Sequence, residues 1–270
     1  MPNSADIIVI GGGPAGLSAA MTARNRAKSV LVISNPAEAS GLYKAEAVDN
    51  YPGFRGASGA DLHGAMLRHA LDMGVELLTK RVISAMPSGN GFFVSAGTDI
   101  YECRALILAT GVVQSSAYPG EKELLGRGVS YCATCDGMLY RGKKVAVIGL
   151  SADAEEEAEF LRSLGCQVLY FNKPQKYQIM GKDRVEAISV AGEEHPVEGV
   201  FILRNTLAMS SLLPGVEMEG SHIKVGRDMS TSIPGVFAAG DCTGRPYQIA
   251  KAVGEGNVAA LSAVSWIDRK

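Results

Sequence analysis

The pair Cys132-Ala133-Thr134-Cys135, followed at once by Asp136, holds the side chains of this sequence whose types and spacing are best suited to chemistry. Two thiols at that spacing can close a small disulfide, and a carboxylate beside them can give or take a proton. The stretch reads as a part that passes two electrons and a proton. Its other use would be half of a zinc site, which needs two more ligands at suitable spacing. There is no second CxxC, and His63, His69, His195 and His222 show no close pairing, so a redox pair is preferred and no metal is expected. Cys103, Cys166 and Cys242 lie far apart, and an odd total of five cysteines does not make a secreted disulfide framework. All three read as packing residues, although Cys242 follows Asp241 in a glycine turn.

Two strand-turn-helix units flank these thiols and must position whatever feeds them. In the first, Asp6 to Ile10 is an apolar strand, Gly11-Gly12-Gly13-Pro14-Ala15-Gly16 a turn, Leu17 to Ala27 a helix of small residues, and Ser29 to Ile33 the next strand. Gly11 permits the tight turn, Gly13 lets backbone approach a pyrophosphate, and Gly16 lets helix and strand pack closely. Pro14 and Ala15 open a helix whose N-terminus favours negative charge. A dinucleotide is the expected ligand. The acidic residue that should hold its ribose is replaced by Ser34 and Asn35, which offer weaker hydrogen bonds.

The second unit, strand Lys144 to Gly149, helix Ala152 to Ser163 and strand Gln167 to Phe171, keeps the shape without the chemistry. Ser151 stands at the second glycine position, and Asp153, Glu155, Glu156 and Glu157 crowd the helix start with charge that repels phosphate. Lys173 and Lys176 follow, but no arginine is there to clamp a 2'-phosphate. NADPH is not expected to bind this turn.

The chain of 270 residues, 47% hydrophobic, can bury a substantial core. Leu62 to Met73 reads as an amphipathic helix, and Val75 to Leu78, Gly91 to Ser95 and Ile100 to Cys103 as strands of a β-meander. Ala105 to Gly111 reads as a separate buried strand, and Ser115 to Pro119 as a linker. Gly235 to Asp241 and a helix from Gln248 to Ile267 close the first domain after the second unit ends near Asn205. The expected fold class is α/β, with two Rossmann-like domains of three-layer ββα type. Residues 1–116 and 208–270 form a cofactor domain split by a smaller redox domain, 117–207. A net charge of -2 supplies no cationic stripe for nucleic acid. No apolar run approaches the roughly 20 residues of a membrane helix, and no basic leader precedes the first strand, so a cytoplasmic protein is expected.

Taken jointly, Gly11 to Gly16, Asp49-Asn50-Tyr51-Pro52-Gly53-Phe54, Ala109-Thr110-Gly111, Cys132 to Gly137 and Thr231 to Asp241 resemble the low-molecular-weight, bacterial-type thioredoxin reductases. That resemblance implies FAD, with Gly11 to Gly16 on its pyrophosphate, Asn50, Thr110 and Gly111 lining the flavin region, and Gly240 and Asp241 on the ribitol side. Gln248 and Ile249 would start the helix that faces the pyrimidine edge. It also implies a homodimer, with Cys135 nearer the flavin, Cys132 attacking thioredoxin and Asp136 handling the proton.

The family's NADPH motifs are missing, and Ala39-Ser40-Gly41-Leu42 lacks its Gly-Gly-Gln. In this the sequence is similar to the ferredoxin-dependent branch, as is the wording of residues 240–256. Ferredoxin is then the implied donor, docking on basic side chains among which Arg24, Arg26, Lys44 and Arg55 are candidates. Rotation about segments near Ser115 to Tyr118 and Asn205 to Ser210 would expose the thiols to thioredoxin. Three alternatives stay open: an NADPH-dependent reductase with an atypical site, a disulfide reductase carrying a second flavin, and a non-catalytic flavin-binding redox sensor. Trp266 reads as a core or dimer contact.

Overall fold

The computed structural model describes residues 3–112, 117–151, 154–173, 175–204 and 212–269, with the backbone alone at Cys135. The connecting segments near Ser115 and Asn205 to Ser210, and Asp153 at the second helix start, fall largely or wholly outside them. The chain divides into two compact units, residues 1–113 with 208–270, and residues 114–207.

The first unit is built on a seven-stranded sheet. Six of its strands are β1 (Ser4–Ile10), β2 (Val30–Ser34), β3 (Glu76–Thr79), β4 (Val82–Ser88), β5 (Gly91–Ala96) and β6 (Asp99–Leu108), in the order β3-β2-β1-β6-β5-β4, and the seventh, near the C-terminal helix, pairs with β6. Helices α1 (Pro14–Asn25) and α2 (Gly59–Asp72) belong to it. Ile7 to Ile10 and Val30 to Ile33 are unbroken apolar runs because parallel strands in the sheet interior are covered on both faces.

Three sequence expectations change here. The strand at residues 75–78 pairs parallel to β2 instead of joining the meander. The meander consists of β4, β5 and β6, and β4 was not anticipated. Ile100 to Cys103 and Ala105 to Leu108 form one strand, whose first half pairs antiparallel with β5 while its second half lies parallel to the interior strand β1. The change from alternating to continuous burial along β6 marks that passage.

The second unit contains β7 (Val129–Ser130), α3 (Ala133–Asp136), β8 (Lys144–Leu150), α4 (Ala154–Ser163) and β9 (Gln167–Phe171). These are followed by β10 (Tyr177–Met180), β11 (Ala187–Val190), β12 (Glu193–Pro196) and β13 (Gly199–Arg204). A parallel sheet runs β7-β13-β8-β9, and a separate antiparallel one runs β10-β11-β12. Arg204, at the end of β13, makes a buried two-pronged ion pair with Glu121, which also accepts from the Tyr131 hydroxyl and the Tyr118 N–H.

Back in the first unit, a short hairpin, β14 (Met218–Glu219) and β15 (His222–Ile223), precedes β16 (Val236–Ala238), which joins β6, and helix α5 (Ile249–Asp268). Ala259, Ala260 and Ala263 of α5 are fully buried in the same apolar cluster as Ala19, Ala20 and Ala23 of α1. Such small faces bring backbones close, and a Cβ on Gly256 would stand 2.1 Å from the Ala15 carbonyl oxygen. Among the described residues no helix is long and apolar enough to cross a membrane.

Candidate redox and cofactor sites

In the first unit the glycine turn links β1 to α1. Gly11 has φ +112°, and a Cβ on it would sit 2.2 Å from the Ala109 carbonyl oxygen; one on Gly16 would sit 1.8 Å from the Gly11 oxygen. Only glycine closes this turn. A Cβ on Gly13 would meet nothing within 4 Å, and the first turn of α1 carries no acidic residue. Open space in front of a helix N-terminus free of carboxylates is the cradle a pyrophosphate needs.

Two side chains brace that cradle. Ser34 Oγ accepts the Gly12 N–H at 2.9 Å and donates to the Asn35 carbonyl, so the serine at the strand end ties the loop down. His63 of α2, buried, donates from Nε2 to the Gly12 oxygen at 2.8 Å. His63 was missed by sequence reasoning, where its only signal is an inward position on α2.

The other residues expected near a flavin come together in part. Asn50 Nδ2 donates to Gln248 Oε1 at 2.7 Å, joining a loop and the start of α5 across 198 residues. Thr110 Oγ1 is buried beside the Cys242 sulfur and makes no hydrogen bond to nitrogen or oxygen among the described residues. Asp241 follows β16 in the Gly240 to Gly244 loop, where burial pushes its carboxyl above the usual range, Lys251 pulls it back and Glu255 adds to the rise.

Lys251 and Glu255, one turn apart on α5, clamp that loop. Lys251 Nζ donates to the Gly240 oxygen (2.9 Å), the Gly244 oxygen (2.7 Å) and Thr243 Oγ1 (2.9 Å), while Glu255 Oε2 accepts the Gly240 N–H at 2.9 Å. Sequence reasoning missed this pair; a lysine four residues before a glutamate looks like an ordinary exposed helix pair. The open cradle, the buried Thr110 hydroxyl and the held Asp241 together fit a dinucleotide such as FAD.

Cys242 itself is buried, its Sγ 3.2 Å from the Ala239 oxygen, and burial pushes its thiol up to about 11. Burial likewise pushes Cys103 up to about 12. Both are packing residues. Of the basic candidates, Arg24 is taken by the Met73 and Lys28 carbonyls, and Arg24 and Arg26 stand at the far end of α1 from the glycine turn. Lys44 and Arg55 are exposed, on the segments flanking Asn50. Trp266 packs at the edge of the α1/α5 cluster and lines a cavity of about 530 Å³ between α5 and the Ser230 to Gly235 loop.

In the second unit Cys132 immediately precedes α3, which carries Thr134, Cys135 and Asp136. Cys132 is disulfide-bonded and 4% exposed, while Cys103, Cys166 and Cys242 are free thiols. Thr134 Oγ1 lies 3.2 Å from Cys132 Sγ, and because a disulfide sulfur has no hydrogen, the threonine donates. Ser130, at the end of β7, accepts the Cys132 N–H (3.1 Å) and donates to Asp136 Oδ2 (2.7 Å), so one hydroxyl aligns the carboxylate with the cysteine. Under the helix, Glu157 of α4, 8% exposed, accepts the Ala133 N–H at 2.7 Å.

The second glycine turn ends in different surroundings from the first. A Cβ on Gly149 would fall 2.5 Å from the hydroxyl oxygen of Tyr170, so the end of β9 packs against the first glycine of the turn. That hydroxyl interacts with Glu155, in the acidic first turn of α4. Tyr170 was not singled out from sequence. Among the described residues no group of three or more His, Cys, Asp or Glu side chains is placed to hold a metal ion.

Comparison with known proteins agrees with this geometry. The family model for pyridine nucleotide-disulphide oxidoreductases matches residues 5–206 and 209–256. The fold superposes with a TM-score of 0.89 on the crystal structure of a ferredoxin-flavin thioredoxin reductase from Clostridium acetobutylicum, at 41% identity, covering 100% of this chain and 99% of that one. A thioredoxin reductase of Bacillus subtilis is 31% identical over 97% of this chain and 95% of its own length. The bifunctional thioredoxin reductase/thioredoxin of Mycobacterium leprae is 37% identical over 97% of this chain, which spans 66% of that longer protein.

Proposed function

Since this chain belongs to the thioredoxin reductase family of pyridine nucleotide-disulphide oxidoreductases, we propose that it is a flavin-dependent disulfide reductase with ferredoxin as its electron donor and thioredoxin as its acceptor. The observation that carries the choice of donor is the second glycine turn. Tyr170 packs against Gly149, and the exposed Glu155 and Glu156 open the helix where a nucleotide phosphate would rest. Likeness to the Clostridium acetobutylicum ferredoxin-flavin enzyme supports the same reading.

On this reading the two units are Rossmann-like domains, the second inserted into the first. FAD is held by Gly11, Gly13, Pro14, Ala15 and Gly16 at its pyrophosphate, with Asn50, Thr110, Gly111, Gly240, Asp241, Gln248 and Ile249 along the rest and Ser34 keeping the turn in shape. Bound there, FAD supplies the conversion between single electrons and electron pairs.

The chain's own residues do the remainder. Opening the Cys132–Cys135 disulfide takes two electrons and two protons, and Asp136, aimed by Ser130, delivers a proton to the departing sulfur. Cys132 then attacks the acceptor disulfide as a thiolate, which requires it to leave its buried setting. Lys44 and Arg55 offer positive charge for an acidic donor.

The test is an anaerobic titration of the bound flavin. Reduced ferredoxin should bleach it and support thioredoxin reduction, whereas NADPH and NADH should leave the spectrum unchanged. Rapid bleaching by NADPH would establish the second reading, a pyridine-nucleotide-dependent reductase, which the family model's match through residues 144–171 keeps in view.

A further inference from the structure

Lys251 stands at the loop that carries Asp241, and a cation there would ordinarily be read as a ligand for a cofactor phosphate. Its donors are already spent. An ammonium has three N–H groups, and Lys251 Nζ lies 2.9 Å from the Gly240 oxygen, 2.7 Å from the Gly244 oxygen and 2.9 Å from Thr243 Oγ1. Glu255 Oε2, at 3.1 Å, supplies the counter-charge, and the two side chains are only 17% and 20% exposed.

Glu255 completes the grip from the other side of the loop. Its Oε2 accepts the Gly240 N–H at 2.9 Å and the Thr243 hydroxyl at 2.8 Å, so Gly240 has its N–H held by the carboxylate and its C=O by the ammonium. Both polar groups of one glycine are therefore fixed by side chains of α5. That glycine has φ +86°, and a Cβ on it would fall 2.8 Å from the Cβ of Ala15, in the first turn of α1. Gly256, next to Glu255, approaches the Ala15 carbonyl from α5 itself. A single turn of α5 thus touches both the helix that opens the pyrophosphate cradle and the loop that carries Asp241, which come from opposite ends of the chain.

We propose that Lys251 and Glu255 are positioning residues for the flavin: they fix the Gly240 to Gly244 loop against the pyrophosphate cradle before the cofactor arrives, so that Asp241 stands ready for the ribitol chain, while Lys251 itself touches no phosphate. A loop ordered in advance does not have to be ordered at the expense of binding. The inference rests on reading the Gly11 to Gly16 turn and Asp241 as two parts of one FAD site.

ADP separates those parts, because it carries the adenosine and two phosphates of FAD without the ribitol and so engages the cradle alone. The full chain is freed of flavin, binding of FAD and of ADP is measured by calorimetry, and deuterium exchange of the apoprotein amides is followed in parallel. Lys251→Met keeps the stem and removes the three donors. It should weaken FAD binding about tenfold, close to 1.4 kcal/mol, and leave ADP affinity within about twofold. The Gly240 and Thr243 amides of its apoprotein should exchange about tenfold faster than in the wild type, while those of Val9 and Ile107 in the sheet keep their rates.

Thr243→Val, near in shape but unable to bridge Lys251 and Glu255, should show the same split more weakly, and it decides the matter if Lys251→Met does not fold. Lys224→Met, which breaks an exposed pair with Glu217, should change neither affinity. Equal losses for FAD and ADP would make Lys251 a phosphate ligand and overturn the inference, as would unchanged FAD affinity. Unchanged exchange at Gly240 and Thr243 overturns it as well, and this readout stands by itself if ADP binds too weakly to measure. A wild-type apoprotein that binds neither FAD nor ADP overturns instead the cofactor assignment on which the inference rests.

Discussion

The turns at Gly11 to Gly16 and at Gly149 to Ala154 each join a buried parallel strand to a helix, yet their surroundings are opposite. Ahead of Gly13 there is open space, a helix start without carboxylates, and a loop tied down by Ser34 and His63. In the second turn Ser151 stands at the position of Gly13, Tyr170 packs against Gly149, and the helix that follows opens on Glu155, Glu156 and Glu157. The same backbone device thus serves a ligand in one unit and the chain itself in the other. Turn geometry alone does not make a nucleotide site; the atoms in front of the turn and the charge behind it decide.

Breaking each region separately tests this division. Cys132→Ser should have the largest effect, a loss of thioredoxin reduction on the order of 10⁴-fold, with flavin content per chain unchanged by absorbance. Glu121→Gln follows, because it strands Arg204 in a buried site and should cost about 3 to 5 kcal/mol in chemical denaturation. The same pair predicts a pH response. Burial alone would raise the Glu121 carboxyl, but Arg204 and the Tyr118 N–H hold it below its ordinary value of 4.5. Its folded pKa is depressed, so its stabilisation is fully present above pH 4.5 and is lost as pH falls through the folded value. Acid melts of the wild type should show this loss, and melts of Glu121→Gln should lack it.

Gly13→Ser carries the second turn's residue into the first. Serine caps a helix well, so the apoprotein should melt within about 0.5 kcal/mol of wild type. Its side chain would stand where a phosphate approaches, and flavin affinity by equilibrium dialysis should fall at least tenfold, as roughly 1.4 kcal/mol. Gly149→Ala should do the reverse, costing about 1 to 3 kcal/mol of stability as its Cβ meets Tyr170, with flavin affinity unchanged. The smallest effect is expected of Ser151→Gly. Restoring the missing glycine should leave the flavin unbleached by NADPH, because Tyr170 and the glutamates remain; bleaching in this variant would put the obstruction in Ser151 alone.

What the sequence made legible follows from locality. Gly11 to Gly16, the CxxC and the acidic helix start are contiguous, so spacing alone displays them. The long strand β6 was hidden because its two halves have different neighbours, and Arg104 interrupts the burial pattern between them. The sheet β10-β11-β12 was missed because its strands are only four residues each, too short to display a period, and one of them, Glu193–Pro196, is polar and largely exposed. Tyr170 and Glu157 share a different cause. Each belongs to an element whose existence was plain, but its role depends on a partner that folding brings from 21 or more positions away. Glu157 did leave a trace, since Ala154, Ala158 and Leu161 share its helical face.

The burial of Cys103, Cys166 and Cys242 bears on how the molecule ages. Each thiol is held above its ordinary pKa by desolvation and therefore stays protonated at neutral pH. Peroxide attacks thiolates, so oxidative injury should concentrate on the Cys132 to Cys135 segment, where a disulfide can be reduced again, and spare the sulfurs whose oxidation would crack a core. Of the five cysteines, the two most open to oxidation are then the ones that turnover itself can reduce.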